Sequence, residues 1–191
     1  MVQQVQRMNK AVFLDRDGTI NEDVGDFCSQ EKLVFIPGAI EGLKILQDTF
    51  LLFIITNQSG IGKNIFTEEE FIRFNRYFDM FLKNEGITIK KIYYCPHTKE
   101  QHCLCRKPNP YFIRQAEKDY GINLKSSYVI GDHPHDIEMG QAVGAGAIYV
   151  LTGHGRKHQE ELSIEPNFVC SNLYEAAIWT MESLLCNKKG G

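Results

Sequence analysis

Apolar positions along the chain alternate between two textures. Short, nearly unbroken apolar runs occur at 11–14, 51–55, 91–94, 127–130 and 147–151, with a shorter one at 168–169. Runs this dense in β-branched and aromatic residues, without polar alternation, read as strands covered on both faces. Between them the apolar residues recur at helical spacing. Residues 38–50 carry Ile40, Leu43 and Leu46, and residues 67–84 carry Phe71, Phe74, Phe78, Phe81 and Leu82. Thr67 followed by Glu70 is a capping-box pattern that starts the second of these helices. Its aromatic stripe reads as core, not as a binding surface. Residues 110–120, ending at Gly121, together with 136–143 and 173–185, complete the helical set. Strand–helix alternation predicts an α/β, doubly wound (Rossmann-like) parallel sheet, a fold whose ligands bind beyond the carboxyl ends of the strands.

The chain has 191 residues, enough for one domain with its own core, so a single domain over 1–191 is expected. Lys plus Arg is 21 against 24 Asp plus Glu, a net charge of −3. That weak acidic balance argues against nucleic acid or an anionic membrane as the partner. No apolar run reaches the ~18 residues of a membrane span. Residues 1–7 lack the apolar core of a signal peptide. A soluble cytoplasmic protein follows as the expectation, with a monomer as the default. The last residues, 187–191, are expected to fray. Six cysteines stand out. Without an export signal they read as metal ligands or free thiols before disulfides.

Chemistry collects where the strands end. The first strand runs into Asp15-Arg16-Asp17-Gly18-Thr19, the second into Thr56-Asn57-Gln58-Ser59, and the fourth into Gly131-Asp132-His133-Pro134-His135-Asp136. Asp15 and Asp17 share a face in extended backbone. Carboxylates at the exit of a buried strand are costly unless a cation sits with them. If the strands are parallel, Asp15, Asp17, Thr56, Asp132 and Asp136 meet at one sheet edge, an oxygen-rich set suited to Mg²⁺. Asp136 alone could equally be a helix cap.

Taken in order, Asp15-x-Asp17-Gly18-Thr19, Thr56-Asn57, Lys107 and Gly131-Asp132-x-x-x-Asp136 resemble the four motifs of haloacid-dehalogenase-type phosphatases, over about residues 10–155. The resemblance implies a Mg²⁺-dependent phosphomonoester hydrolase. It makes Asp15 the nucleophile that forms an aspartyl-phosphate, and Asp17 the general acid and then base. Thr56 and Lys107 would hold and neutralise the phosphoryl group. Mg²⁺ would be held by Asp15, the Asp17 carbonyl and Asp132, with Asp136 behind them orienting Lys107 or a metal-bound water.

A second cluster is Cys95-Pro96-His97 with Cys103-Leu104-Cys105, directly before Arg106-Lys107. Three thiolates and an imidazole form a closed set suited to a structural, tetrahedral Zn²⁺. Such a knot over 95–105 would fix a loop too short to own a core, and with it Arg106 and Lys107. Disulfide pairing is the alternative, and His102 competes with His97 as ligand. Cys28, Cys170 and Cys186 read as ordinary residues.

The cluster resembles the zinc-loop branch of the same family, which includes heptose bisphosphate and histidinol-phosphate phosphatases. Residues 14–21, 55–62 and 93–97 lean toward the heptose bisphosphate type. That resemblance implies a phosphorylated sugar as substrate. It would be cradled by Arg16, by the loop Asp23-Val24-Gly25-Asp26, by Asn57, Gln58 and Ser59, and by Arg106. The five residues 98–102 form a short zinc loop, closer to the histidinol-phosphate type, so that substrate is the alternative. His133 stands where the heptose type often has lysine, which leaves part of the local charge to an imidazole. Thirty-nine positions separate Asp17 from Thr56 and 51 separate Thr56 from Lys107, too few for an inserted cap domain. An open site keeps a polynucleotide-end phosphatase as a further alternative, and a non-catalytic metal- or phosphate-binding module is the alternative of another class. Residues 153–158 read as a solvated turn and receive no role.

Overall fold

A computed structural model of the chain describes residues 8–187. The residues 1–7 and the tail from 188 onward lie outside them, as does the Cys186 side chain. Six strands form one sheet: β1 (Ala11–Leu14), β2 (Leu51–Asn57), β3 (Ile89–Cys95), β4 (Tyr128–Gly131), β5 (Gly146–Val150) and β6 (Phe168–Cys170). Their order is β3-β2-β1-β4-β5-β6, and every neighbouring pair is parallel. The helices are α1 (Ala39–Gln47), α2 (Ser59–Gly62), α3 (Glu68–Asn84), α4 (Tyr111–Tyr120), α5 (Pro134–Gln141), α6 (Gly155–His158) and α7 (Leu173–Asn187).

The uninterrupted apolar strands are explained by two separate cores. Val12 and Leu14 of β1 point to one face, where Leu43 and Leu46 of α1, Phe78 and Leu82 of α3, and Ala176 and Ala177 of α7 cover them. Ala11 and Phe13 point to the other, against Ile113 and Ala116 of α4 and Met139 of α5. A strand alternating between two dry faces has no polar position to offer. The aromatic stripe of α3 is core, with Phe71, Phe74, Phe78 and Leu82 buried. The Thr67–Glu70 capping box is formed, Thr67 Oγ1 accepting from the Glu70 N–H and Glu70 Oε2 from the Thr67 N–H.

The strand order positions the site. The chain builds β1, β2 and β3 outward in one direction, then crosses back to lay β4 on the other side of β1. β1 therefore lies at the point where the winding reverses, the usual crevice of such sheets. Leu14 is level with Ile54 of β2 and with Ile130 of β4. The residues just beyond, Asp15, Thr56 and Asp132, consequently stand side by side at the carboxyl edge of the sheet.

Helix α5 begins at Pro134, two residues before the sequence pattern places it. Proline at the first helical position loses no hydrogen bond, and His133 caps the helix, its Nδ1 accepting from the His135 N–H at 3.2 Å. Among the described residues no inserted domain stands over the cleft, and no helix is long and apolar enough to cross a membrane.

Candidate active site

At the carboxyl edge of the sheet lies a cleft of about 370 Å³. Its floor holds the carboxylates of Asp15 and Asp132, with that of Asp136 buried behind them, and ligand oxygens of the three all lie within 4.8 Å of one another. All three are buried. One cation sits among them: Lys107 Nζ donates to Asp15 Oδ1 at 2.5 Å and to Asp136 Oδ1 at 2.7 Å. Three carboxylates against one ammonium leave the floor in need of further positive charge.

Titration directions report the same imbalance. Burial raises the Asp15 carboxyl well above the usual range; Lys107 pulls it back while Asp136 and Asp132 push it up further. Burial, with the Asp136 charge, raises Asp132 to about 6. Burial alone would lower Lys107, but the charges of Asp136 and Asp15 outweigh it and hold the ammonium firmly protonated. A divalent cation bound by hard oxygen ligands fits this donor set. A proton and such an ion would then compete for Asp132. Mg²⁺ affinity, measured by calorimetric titration, is therefore expected to weaken about tenfold per pH unit below about pH 6 and to level off above it.

Glycine is required at this floor for space. A Cβ at Gly131 would collide with the Asp136 carboxyl, and one at Gly18 or Gly153 with that of Asp132. Gly18 and Gly153 also have positive φ, +90° and +52°, which favours glycine. Asp136 has both of its sequence readings at once. It is the third residue of α5, accepting from the His133 N–H at 3.2 Å, and it holds Lys107.

Asp17 stands apart from the other carboxylates. Its Oδ1 accepts from Arg16 Nε (3.1 Å) and Asn21 Nδ2 (2.9 Å), and its Oδ2 from Arg16 Nη2 and Gln58 Nε2 (both 2.8 Å). Burial raises its pKa, but the Arg16 charge and these hydrogen bonds outweigh burial and bring it below the usual value. Thr56 Oγ1 lies 3.4 Å from the same carboxylate and accepts from Gln58 Nε2 at 2.8 Å.

Several expectations for the cleft change here. Asp23, Gly25, Asp26, Asn57, Gln58, Ser59 and Arg106 line it. Arg16 does not: its side chain is fully buried on Asp17, so the expected substrate contact through that side chain is corrected. Val24 is 48% exposed and also lies off the cleft wall. Asn57 and Gln58 have structural duties as well, Asn57 Oδ1 accepting from the Lys107 N–H at 3.1 Å. The His133 imidazole is pushed down to about 4, chiefly by burial. It is therefore neutral at physiological pH and supplies no charge in place of a lysine.

The segment 153–158, read as a solvated turn without a role, is an exposed turn running into α6, but its start is tied to the cleft floor. Thr152 Oγ1 donates to the Gly18 carbonyl at 2.6 Å, and the His154 N–H donates to Asp132 Oδ2 at 2.8 Å. Sequence reasoning also missed Lys63, His135 and His154 on the cleft wall. Lys63 pairs with Asp26 across the mouth at 2.8 Å. No local pattern marks these residues; the loops that carry them meet only because their strands are adjacent.

Beside the cleft, Cys95, His97, Cys103 and Cys105 converge. Their sulfurs and His97 Nδ1 are separated by 3.2–3.6 Å along five edges. A bonded disulfide would need about 2.05 Å, and all four thiols described beside or apart from Cys95 are free, as Cys95 is. A tetrahedron of ligands ~2.3 Å from a central Zn²⁺ has edges of ~3.7 Å, so the cluster fits that ion. His102, with φ +46°, is not in it. The loop is tied to the sheet: Arg106 Nη1 donates to the His97 carbonyl at 3.0 Å, and the Gln58 N–H to the Cys95 carbonyl at 2.7 Å.

Comparison with known proteins agrees with this geometry. The chain is 36% identical, over 173 residues, to the D-glycero-beta-D-manno-heptose-1,7-bisphosphate 7-phosphatase of Pasteurella multocida, covering 87% of this chain and 94% of that one. The chain belongs to the haloacid-dehalogenase-type phosphatases. The family model described as HAD-hydrolase-like matches residues 104–176 of this phosphatase. A probable D-glycero-D-manno-heptose-1,7-bisphosphate 7-phosphatase of Thermoplasma volcanium is 45% identical over 125 residues, 64% of this chain and 85% of that one. The crystal structure of D,D-heptose 1,7-bisphosphate phosphatase from B. bronchiseptica, complexed with magnesium and phosphate, aligns with a TM-score of 0.84 at 28% identity. It covers 91% of this phosphatase and 99% of that chain.

Proposed function

We propose that this phosphatase hydrolyses the 7-phosphate of D-glycero-D-manno-heptose 1,7-bisphosphate through an aspartyl-phosphate on Asp15. The observation that carries the reading is the cleft floor, where Asp15 is paired with Lys107 among carboxylates short of positive charge. Heptose bisphosphate phosphatases among the relatives supply the substrate.

Mg²⁺ would be held by Asp15, the Asp17 carbonyl and Asp132, and would supply charge neutralisation for the transferring phosphoryl group. The chain's own residues do the rest. Asp15 attacks phosphorus while the ester P–O bond breaks, and Asp17, ionised before substrate binds, passes to the leaving oxygen a proton that the substrate's phosphate monoanion brings with it. Water then attacks the aspartyl-phosphate, Asp17 takes its proton, and the carboxylate of Asp15 is released with inorganic phosphate. Lys107 and Thr56 bind the phosphoryl oxygens as charge builds on them. Arg106, a planar fork at the cleft edge, suits the second phosphate of the substrate. Among the described residues no cap stands over the mouth, which leaves it open to solvent.

Zn²⁺ would be held by Cys95, His97, Cys103 and Cys105 and would fix the loop that carries Arg106 and Lys107. Metal analysis of the purified protein should find one zinc per chain. Cys103→Ser should lose it and raise KM about tenfold with the fold retained, because the two cores do not include this loop. Its reduced thiols suit a cytoplasmic setting, and a monomer is sufficient because the cleft is built from one chain.

The deciding experiment is turnover of the heptose bisphosphate against histidinol phosphate, side by side with Mg²⁺. A kcat/KM at least about a hundredfold higher for the bisphosphate is expected, from the added charge-assisted contacts of a second phosphate. Equal or better hydrolysis of histidinol phosphate would remove the proposed substrate.

A further inference from the structure

We propose that Arg16 is a positioning residue, which sets the carboxylate plane of Asp17 for both proton transfers, and that helix α3 is the platform on which it does so. The proposal deepens the two-step reading above and rests on it.

Arg16 heads the large side chains that are fully buried, at 0% exposure. A buried guanidinium gives no net stability over a well-packed apolar residue, so packing does not account for it. Its geometry does. Nε and Nη2 reach the two oxygens of Asp17 as a fork, at 3.1 and 2.8 Å. Such bidentate pairing fixes the plane of a carboxylate as well as its place. The remaining arm, Nη1, donates to Asn75 Oδ1 of α3 at 3.1 Å. Both neighbouring rings belong to the same helix, with the guanidinium carbon 5.4 Å from the Phe71 centroid and 5.1 Å from that of Phe74. The side chain thus has no route to the cleft. It transmits the position of α3, anchored in the core by Phe78 and Leu82, to one carboxylate. Gln58 and Asn21 close on Asp17 from its other sides.

The two chemical steps differ in how much they need this. In the first, the electron pair of the breaking P–O bond goes to the leaving oxygen, which takes the Asp17 proton when that oxygen is a sugar alkoxide. A 4-nitrophenolate leaves without a proton. In the second, water must give its proton to Asp17 whatever the leaving group was. Misplacing Asp17 therefore slows both steps for the sugar substrate but only the second for 4-nitrophenyl phosphate.

Arg16→Lys keeps the charge and loses the fork; Asn75→Ala leaves Arg16 in place and removes one of its anchors. For the heptose bisphosphate with Mg²⁺, Arg16→Lys is expected to lower kcat about a hundredfold with KM within threefold of wild type. Asn75→Ala should lower it about fivefold in the same manner. With 4-nitrophenyl phosphate, Arg16→Lys should release a rapid burst of about one nitrophenolate per active site, then turn over slowly, while the chain retains the phosphoryl group. Equal loss on both substrates without a burst, or a loss expressed in KM, would mean that Arg16 only supports the fold and would overturn the proposal. So would wild-type kinetics in Arg16→Lys. A wild-type protein that hydrolyses neither compound would instead overturn the phosphatase reading, and this proposal with it.

Discussion

Asp15→Asn is expected to reduce turnover by at least about 10⁴-fold while leaving the fold intact. An amide oxygen cannot form the acyl phosphate, and no neighbouring group can replace it. Lys107 is committed to the floor, and Asp132 is clamped by the His154 N–H. Stability should not suffer. Asp15 is raised well above its ordinary pKa by burial, and by Asp136 and Asp132 against the pull of Lys107. Such a group contributes stability below its unfolded pKa and loses it as pH rises through the folded value. At neutral pH its charge is therefore a burden on the metal-free fold. Phosphate release and a thermal melt on the same sample check both halves. Retained activity would remove Asp15 as nucleophile and favour a binding module in place of an enzyme.

Lys107→Met should have the largest effect on stability as well as a severe effect on activity. It removes the one ammonium that, among the described residues, sits on the floor, and leaves Asp15 and Asp136, both buried, without their shared donor. Removing one partner of a buried ionic cluster costs about 3–5 kcal/mol. Turnover should fall about 10³-fold, since the phosphoryl oxygens lose a preorganised cation. Two features separate this cause from poor packing. The stability loss should shrink as pH falls below about 6, because Asp132, raised to about 6, and Asp15, raised well above its ordinary value, take up protons and their repulsion vanishes. Mg²⁺ should also restore part of the loss, since it supplies charge to the same oxygens. Urea unfolding at pH 5 and pH 7.5, with and without Mg²⁺, tests this; a loss independent of pH and Mg²⁺ would assign the effect to packing.

Much of the molecule is legible in one dimension because its signals are local. Val12 and Leu14 face one core and Ala11 and Phe13 the other, so a strand buried on both sides shows as an apolar run. The 3.6-residue recurrence from Phe71 to Leu82, with Thr67 and Glu70 at its head, specifies α3 to within a residue of its observed start. Metal-ligand spacing is local too. Cys95, His97, Cys103 and Cys105 lie within eleven positions, and a loop that short can bring them together whatever the sheet does.

What the sequence by itself determined is the alternation of elements, the parallel sheet it implies, and the residue types at each strand end. The tertiary structure decided which of those ends are neighbours and which side chains they release to the cleft. Setting β4 beside β1 brings Asp132 to Asp15, residues far apart in the chain, and lets Thr152 and His154 bond to the Gly18 carbonyl and to Asp132. The same packing removes Arg16 from the substrate's reach: its neighbours Phe71, Phe74 and Asn75 belong to a helix that begins some fifty residues later. A charged side chain next to two catalytic-type aspartates looks the same in sequence whether it faces solvent or core. Burial is a property of the whole assembly, and it is burial that turns Arg16 from a substrate contact into a support for Asp17.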